Sequence, residues 1–235
     1  MLEENDVTRV GMFAIPTYRI RFKDHEKYKQ SMIDYMENED GYKNGSVPTL
    51  HFTSPNLHKV EVFKPFVDFV QAGLEHAMKD CGFVPSIKMT GLWGTRHTEG
   101  GFHHEHVHHN SMWGGVYYLD GTPNNSGTIF HNVHRYGQSI DPARITNRRQ
   151  RITYRSTVAF EEGLLVIFPA WLPHNTARNN LAKSGSVRKI LSFNSMPVGP
   201  TNMDPFDRYH YVDPTDLKMQ DRWKEDPVDI NSESV

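Results

Sequence analysis

Five of the chain's fourteen histidines fall within the seven positions 103–109, directly ahead of a strand-like run through Gly114, Gly115, Val116, Tyr117, Tyr118 and Leu119. No other feature constrains the fold as much, because imidazole is the commonest metal ligand among side chains and is largely neutral near pH 7. In an extended segment alternate side chains share a face. His104, His106 and His108 are therefore expected on one side, with His103, Glu105 and His109 on the other. A His-x-His pair on a strand needs only a third group from elsewhere to make a metal site. Taken alone, a histidine-rich tract also reads as a solvated, pH-sensitive loop, so the third ligand decides.

That group is offered much later. Residues 164–168, LLVIF, read as a buried strand that runs on through Pro169 and Pro173 to His174. Residues 186–194 read as a further strand in which Arg188, Ile190, Ser192 and Asn194 share one face by the two-residue period. An arginine aimed into a barrel is costly unless a carboxylate meets its fork, and that carboxylate can belong to a ligand. The order is thus His-x-His, strand, long insert, strand, His, and then Arg on the next strand.

This order resembles the 2-oxoglutarate and Fe(II)-dependent oxygenase superfamily, and more closely its small family of putative 2OG-Fe(II) oxygenases from bacteria and phages. That family's H-x-H-P-N-S and S-G-V-Y-Y correspond to His106, Val107, His108, His109, Asn110 and Ser111, then Gly114 through Tyr118. Its F-P-S-W-L-x-H and R-I-S-I-S-F-N correspond to Phe168 through His174 and Arg188 through Asn194. An earlier H-T-S-x-N-L-H block is matched by Thr53 through His58. The resemblance implies a double-stranded β-helix, or jelly roll, with Fe(II) and 2-oxoglutarate as metal and co-substrate. It implies iron held by His106, His108 and His174, Arg188 on the co-substrate's distal carboxylate, and hydroxylation of an acceptor with release of succinate and CO2.

Two departures matter. The wider superfamily holds iron with two histidines and a carboxylate, whereas the aligned block supplies three histidines. Taking His103 and Glu105 with His174 restores the carboxylate but breaks the alignment by three residues. The superfamily's Arg-x-Ser or Arg-x-Thr is also altered, since Ile190 follows Arg188, which leaves Tyr118 or Ser192 as the second anchor by facing parity. An all-histidine site is expected to lose metal as pH falls toward the ordinary imidazole value near 6.5. The rival classes are a cupin-like three-histidine metalloprotein that does not use 2-oxoglutarate, and a non-catalytic jelly-roll binding or virion protein.

Elsewhere the chain reads as an ordinary protein. Its 235 residues, 37% hydrophobic and 23% charged with a net charge of -2, suit a single core. Lone Cys81 excludes an internal disulfide framework. No apolar run approaches the roughly 20 residues of a membrane span, and the start lacks a signal-peptide pattern. A cytoplasmic location is expected, the host's cytoplasm if the chain is phage-encoded.

Residues 7–22 read as an opening strand, and the segment to residue 39 as a helix with Tyr28, Met32, Tyr35 and Met36 on one face. Residues 64–80 carry the clearest helix, with Pro65 at its start, Gly82 at its stop and an apolar stripe from Phe66 to Met78. Strands are expected at 87–95, with Trp93 as a packing or pocket residue, and at 127–130. The insert 135–155 holds Arg135, Arg144, Arg148, Arg149, Arg151 and Arg155. With a slightly negative chain and no nucleic-acid-binding motif, it reads as a lid rather than a nucleic-acid surface. The division expected is one domain over 1–198, with helical support at 22–82 and a jelly-roll core at 87–195, then a polar extension over 199–235 with a short helix at 217–223.

Overall fold

In the computed structural model, which describes residues 14–44, 49–83, 86–133, 154–200 and 210–211, the chain opens with strand β1 (Tyr18–Arg21) and helix α1 (His25–Asp34). A π turn over Tyr35–Asp40 extends α1, so the amphipathic segment foreseen to residue 39 is helical but widened at its end. Met32 and Met36 are fully buried. After the short strands β2 (Lys43–Asn44) and β3 (Leu50–Phe52) comes helix α2 (Lys64–Asp80). Pro65 sits in its first turn, and Gly82 adopts φ 79° beyond its end, where Phe83 N–H donates to the Met78 carbonyl at 2.9 Å. This is the left-handed cap that the sequence signals. Cys81 closes the helix with its sulfur 3.3 Å from the Tyr18 hydroxyl.

Then come β4 (Ile87–His97), β5 (His103–His106), β6 (Trp113–Asp120), β7 (Thr128–His131), β8 (Arg155–Val158), β9 (Leu164–Pro169), β10 (His174–Thr176) and β11 (Arg188–Pro197), while Gly199–Pro200 and His210–Tyr211 pair as a separate two-stranded sheet. Strands β1 to β11 form two antiparallel sheets, of order β1-β9-β6-β11-β4-β3-β2 and β5-β10-β7-β8. From β4 to β11 the chain passes back and forth between them, which is the winding of a double-stranded β-helix. Strand periodicity divides the core in two. Leu165, Ile167, Leu191 and Phe193 point outward against α1 and α2. Val116, Tyr118, Val166, Phe168 and Ile190 point inward to meet Phe130 of the small sheet. Gly73 lets α2 seat on the large sheet, since a Cβ there would lie 3.0 Å from the side chains of Ile20 and Ile167.

Of the opening strand foreseen over 7–22, residues 18–21 form β1 and residues 7–13 lie outside the described residues. So do Arg135, Arg144, Arg148, Arg149 and Arg151 of the insert and the helix expected at 217–223. Arg155 begins β8. Among the described residues no helix is long and apolar enough to cross a membrane.

Candidate metal centre

His106 ends β5 and pairs with His174, the first residue of β10. His108 follows in a loop held by its own N–H, which donates to the Ala170 carbonyl at 2.9 Å. The floor beneath it is Gly114, where a Cβ would come within 2.9 Å of the His108 ring. His106, His108 and His174 each bring a ring nitrogen within 4.8 Å of the others.

What the rings do with their other nitrogens defines the site. Nδ1 of His106 lies 2.8 Å from the His104 carbonyl, and Nδ1 of His174 lies 2.9 Å from the Leu172 carbonyl. Nδ1 of His108 lies 2.5 Å from the Asn194 side-chain oxygen. Carbonyl oxygens only accept, so each imidazole carries its proton on Nδ1 and presents a bare Nε2. The Nε2 atoms of His108 and His174 are 3.2 Å apart. Two facing lone pairs repel, yet this is the spacing of two nitrogens each about 2.1 Å from one shared ion. The donor set therefore fits a metal. Phe168 packs 4.6 Å from the His174 ring and Trp93 lies 5.9 Å from that of His108, so Trp93 does wall the cavity.

The alternation expected over 103–109 fails at one place, and the cause is a bulge. His106 opposes His174 and His103 opposes Thr176, so the spacing is three residues on β5 against two on β10. His103 is thereby turned to the side of His106, with ring centres 4.0 Å apart, and lines the cavity. Beyond His106 the strand ends, and His108 reaches the centre from the loop rather than by parity. Glu105 is exposed, its carboxylate 3.3 Å from His131 Nδ1, and it stands outside the nitrogen cluster. A second group, His25, Glu26 and Glu162, already holds a cation. Lys29 Nζ is 3.0 Å from one Glu162 oxygen, and the Gly121 N–H donates to the other at 2.8 Å.

Burial sets the protonation of the trio. It pushes His174 down to about 3 and His108 down to about 4, with neighbouring imidazoles adding to the shift, and it lowers His106 as well. Groups depressed this far are neutral through the physiological range and begin to compete for protons only in acid. Metal affinity is accordingly expected to fall in acid, at a pH below the ordinary imidazole value. The edge lies lower than the value near 6.5 expected for exposed imidazoles. Zn(II) titration at stepped pH, with circular dichroism confirming the fold at each step, checks this. A decline centred near 6.5 would mean that the rings are not desolvated.

Arg188 begins β11 and is 1% exposed. One terminal nitrogen donates to the Ser126 carbonyl, while Nε and Nη2 have no partner among the described residues. Burial lowers its pKa to about 10, which still leaves it charged at neutral pH. Ile190 and Ser192, on the same face, line the cavity with Trp93, His103, His106, His108, Thr128 and His174. The volume of this cavity is about 30 Å³. The Tyr118 hydroxyl is committed within the protein, donating to Thr128 Oγ1 at 2.9 Å and accepting from the Thr128 N–H at 3.1 Å. Lys189 has the opposite parity and spans Asp120 at 3.3 Å and Glu37 at 3.5 Å on the outer face. A groove of about 510 Å³ between α2 and the start of β4 contains none of these groups.

Residues 91–194 match the family described as "Putative 2OG-Fe(II) oxygenase". No curated protein sequence matches the chain. Solved structures do. HygX from Streptomyces hygroscopicus, with nickel and 2-oxoglutarate bound, is 14% identical with a TM-score of 0.56, over 85% of this chain and 92% of its own. The epimerase SnoN, in complex with Fe3+, alpha ketoglutarate and nogalamycin RO, is 11% identical with a TM-score of 0.60, over 84% and 91%. A Pseudomonas putida prolyl-4-hydroxylase is 13% identical with a TM-score of 0.54, over 77% and 94%. At these identities the likeness is one of fold.

Proposed function

We propose that the chain is a 2OG-Fe(II) oxygenase, the family whose pattern residues 91–194 match, that His106, His108 and His174 hold its Fe(II), and that Arg188 receives the distal carboxylate of 2-oxoglutarate. We further assign it oxidation of an acceptor C–H bond, residues 1–198 as the oxygenase domain, and residues 199–235 as an extension. The observation that carries this reading is the buried guanidinium with two unpartnered nitrogens in the same barrel as three bare imidazole nitrogens. A charge taken out of water without a partner costs several kcal/mol, and an incoming carboxylate removes that cost.

Fe(II) with 2-oxoglutarate, when bound, supplies activation of O2 coupled to decarboxylation of the co-substrate to succinate and CO2. The chain's own contribution is to bind, orient and dry the site. Three neutral imidazoles leave the ion's charge undiminished, which favours an anionic co-ligand. The carbonyls of His104 and Leu172 and the Asn194 amide fix the ring orientations. Phe130, Phe168 and Trp93 exclude water around them.

The second reading is a cupin-like three-histidine metalloprotein without 2-oxoglutarate, which the all-histidine cluster among the described residues favours and the buried Arg188 opposes. Protein purified without oxygen and loaded with Fe(II) separates the two. The expected result is iron-dependent formation of succinate from 2-oxoglutarate on admitting O2, increased by a productive acceptor. Iron-loaded protein that neither binds 2-oxoglutarate in calorimetry nor forms succinate would leave the cupin-like reading in its place.

A further inference from the structure

We propose that His97 is the second anchor of the co-substrate's distal carboxylate and so sets the preference for a dicarboxylic over a monocarboxylic 2-oxo acid, an assignment that rests on the reading of this barrel as a 2-oxoglutarate pocket. His97 ends β4 directly opposite Arg188 on β11, so the two side chains leave the sheet on the same face. It is 1% exposed, and neither ring nitrogen has a hydrogen-bond partner among the described residues. Buried imidazoles are ordinarily satisfied. Here an N–H of His97 and the Nε and Nη2 groups of Arg188, on facing residues of β4 and β11, are donors with no acceptor among the described residues.

The surroundings define the missing acceptor. The charged or titratable groups that act on His97 are Arg188, His103 and His51, with no carboxylate among them. Burial and these neighbours hold the His97 pKa well below the ordinary value, so the ring is neutral and carries one N–H for an anion to accept. Of the other candidate donors, Ser192 lines the cavity four residues along β11 from Arg188, opposite Trp93 rather than His97. Ile190 occupies the place where a Ser or Thr would follow the arginine and has no polar atom, and the Tyr118 hydroxyl donates to Thr128.

Both anchors are also held rigidly. The Asn179 side-chain amide donates to the His97 carbonyl at 3.0 Å and to the Ser186 carbonyl at 3.3 Å, while Asn125 donates to the Asn179 side-chain oxygen at 2.8 Å. One buried amide pair thus ties the end of β4 to the chain just ahead of Arg188. Such pre-organisation lowers the cost of binding.

The test uses full-length protein loaded with Zn(II), with 2-oxoglutarate and 2-oxobutyrate as probes, the latter sharing the chelating head but lacking the distal carboxylate. His97→Leu is expected to raise the 2-oxoglutarate dissociation constant about tenfold or more, the worth of a hydrogen bond to a charged acceptor. Its 2-oxobutyrate constant should be unchanged, and His97→Gln, which restores an N–H, should recover much of the loss. In the unaltered protein, labelled with 15N-histidine, the His97 ring signals should shift on adding 2-oxoglutarate and not on adding 2-oxobutyrate. That readout stands even if His97→Leu fails to fold. Unshifted ring signals, an unchanged constant for His97→Leu, or an equal loss for both oxo acids would overturn the assignment. If the unaltered protein binds no 2-oxoglutarate at all, it is the reading of the pocket that fails.

Discussion

Arg188→Ala is expected to raise the 2-oxoglutarate dissociation constant by about 30-fold or more, because truncating one partner of a buried charge pair costs about 2 to 5 kcal/mol and each decade corresponds to about 1.4 kcal/mol. Fe(II) binding should hardly change, since the three ring nitrogens are positioned by His104, Leu172 and Asn194 rather than by the arginine. Arg188→Lys should fall between, a point charge replacing a fork. Lys189→Ala is the control, for its ammonium already spans Asp120 and Glu37 on the opposite face.

The same residue carries a second consequence of opposite sign. Without a ligand its guanidinium is buried and only partly satisfied, so Arg188→Met, of similar volume and no charge, should melt higher than the parent in the absence of co-substrate. Adding 2-oxoglutarate should then raise the parent's Tm by linkage and leave the variant's unmoved. Calorimetry and thermal melts check both halves. Unaltered binding by Arg188→Ala would place the carboxylate elsewhere.

How much of this was legible in the chain differs by element. The helix at 64–80 was legible because its stripe, proline and glycine are all local signals. The facing of Arg188, Ile190 and Ser192 followed from strand period, since β11 pairs with β4 without a break from Arg188 to Asn194 and the shift between Lys189 and Ile190 is confined to its pairing with β6. The facing of His103 was not legible. It depends on a bulge against β10, whose residues lie some seventy positions further on, and a parity argument assumes that no such insertion exists. His97 was missed for another reason. A lone histidine at a strand end has no sequence signal, and it gains meaning only when β4 and β11 pair to set it opposite Arg188. Asn194 was read as inward-facing from its parity, but its acceptance of the His108 proton needed the loop from His108 to Gly114 in place.

Alanine in place of His108 or His174 is expected to weaken metal binding by roughly 100-fold or more, because loss of a partner that merely orients a ligand already costs about 10- to 100-fold. Asn194→Ala supplies that lesser reference within the same site, as its amide oxygen holds the His108 proton. His103→Ala makes the comparison decisive. Its ring lies 4.0 Å from that of His106 and lines the same cavity, yet it is not among the three nitrogens that converge. A ligand set of His103, Glu105 and His174 predicts that His103→Ala and Glu105→Ala lose metal while His108→Ala keeps it. The convergence of His106, His108 and His174 predicts the reverse, with Glu105→Ala losing only its contact to His131. Titration of all five variants with Fe(II) under argon, and with Zn(II) as a redox-inert check, distinguishes the two sets by which of His103 and His108 the metal cannot do without.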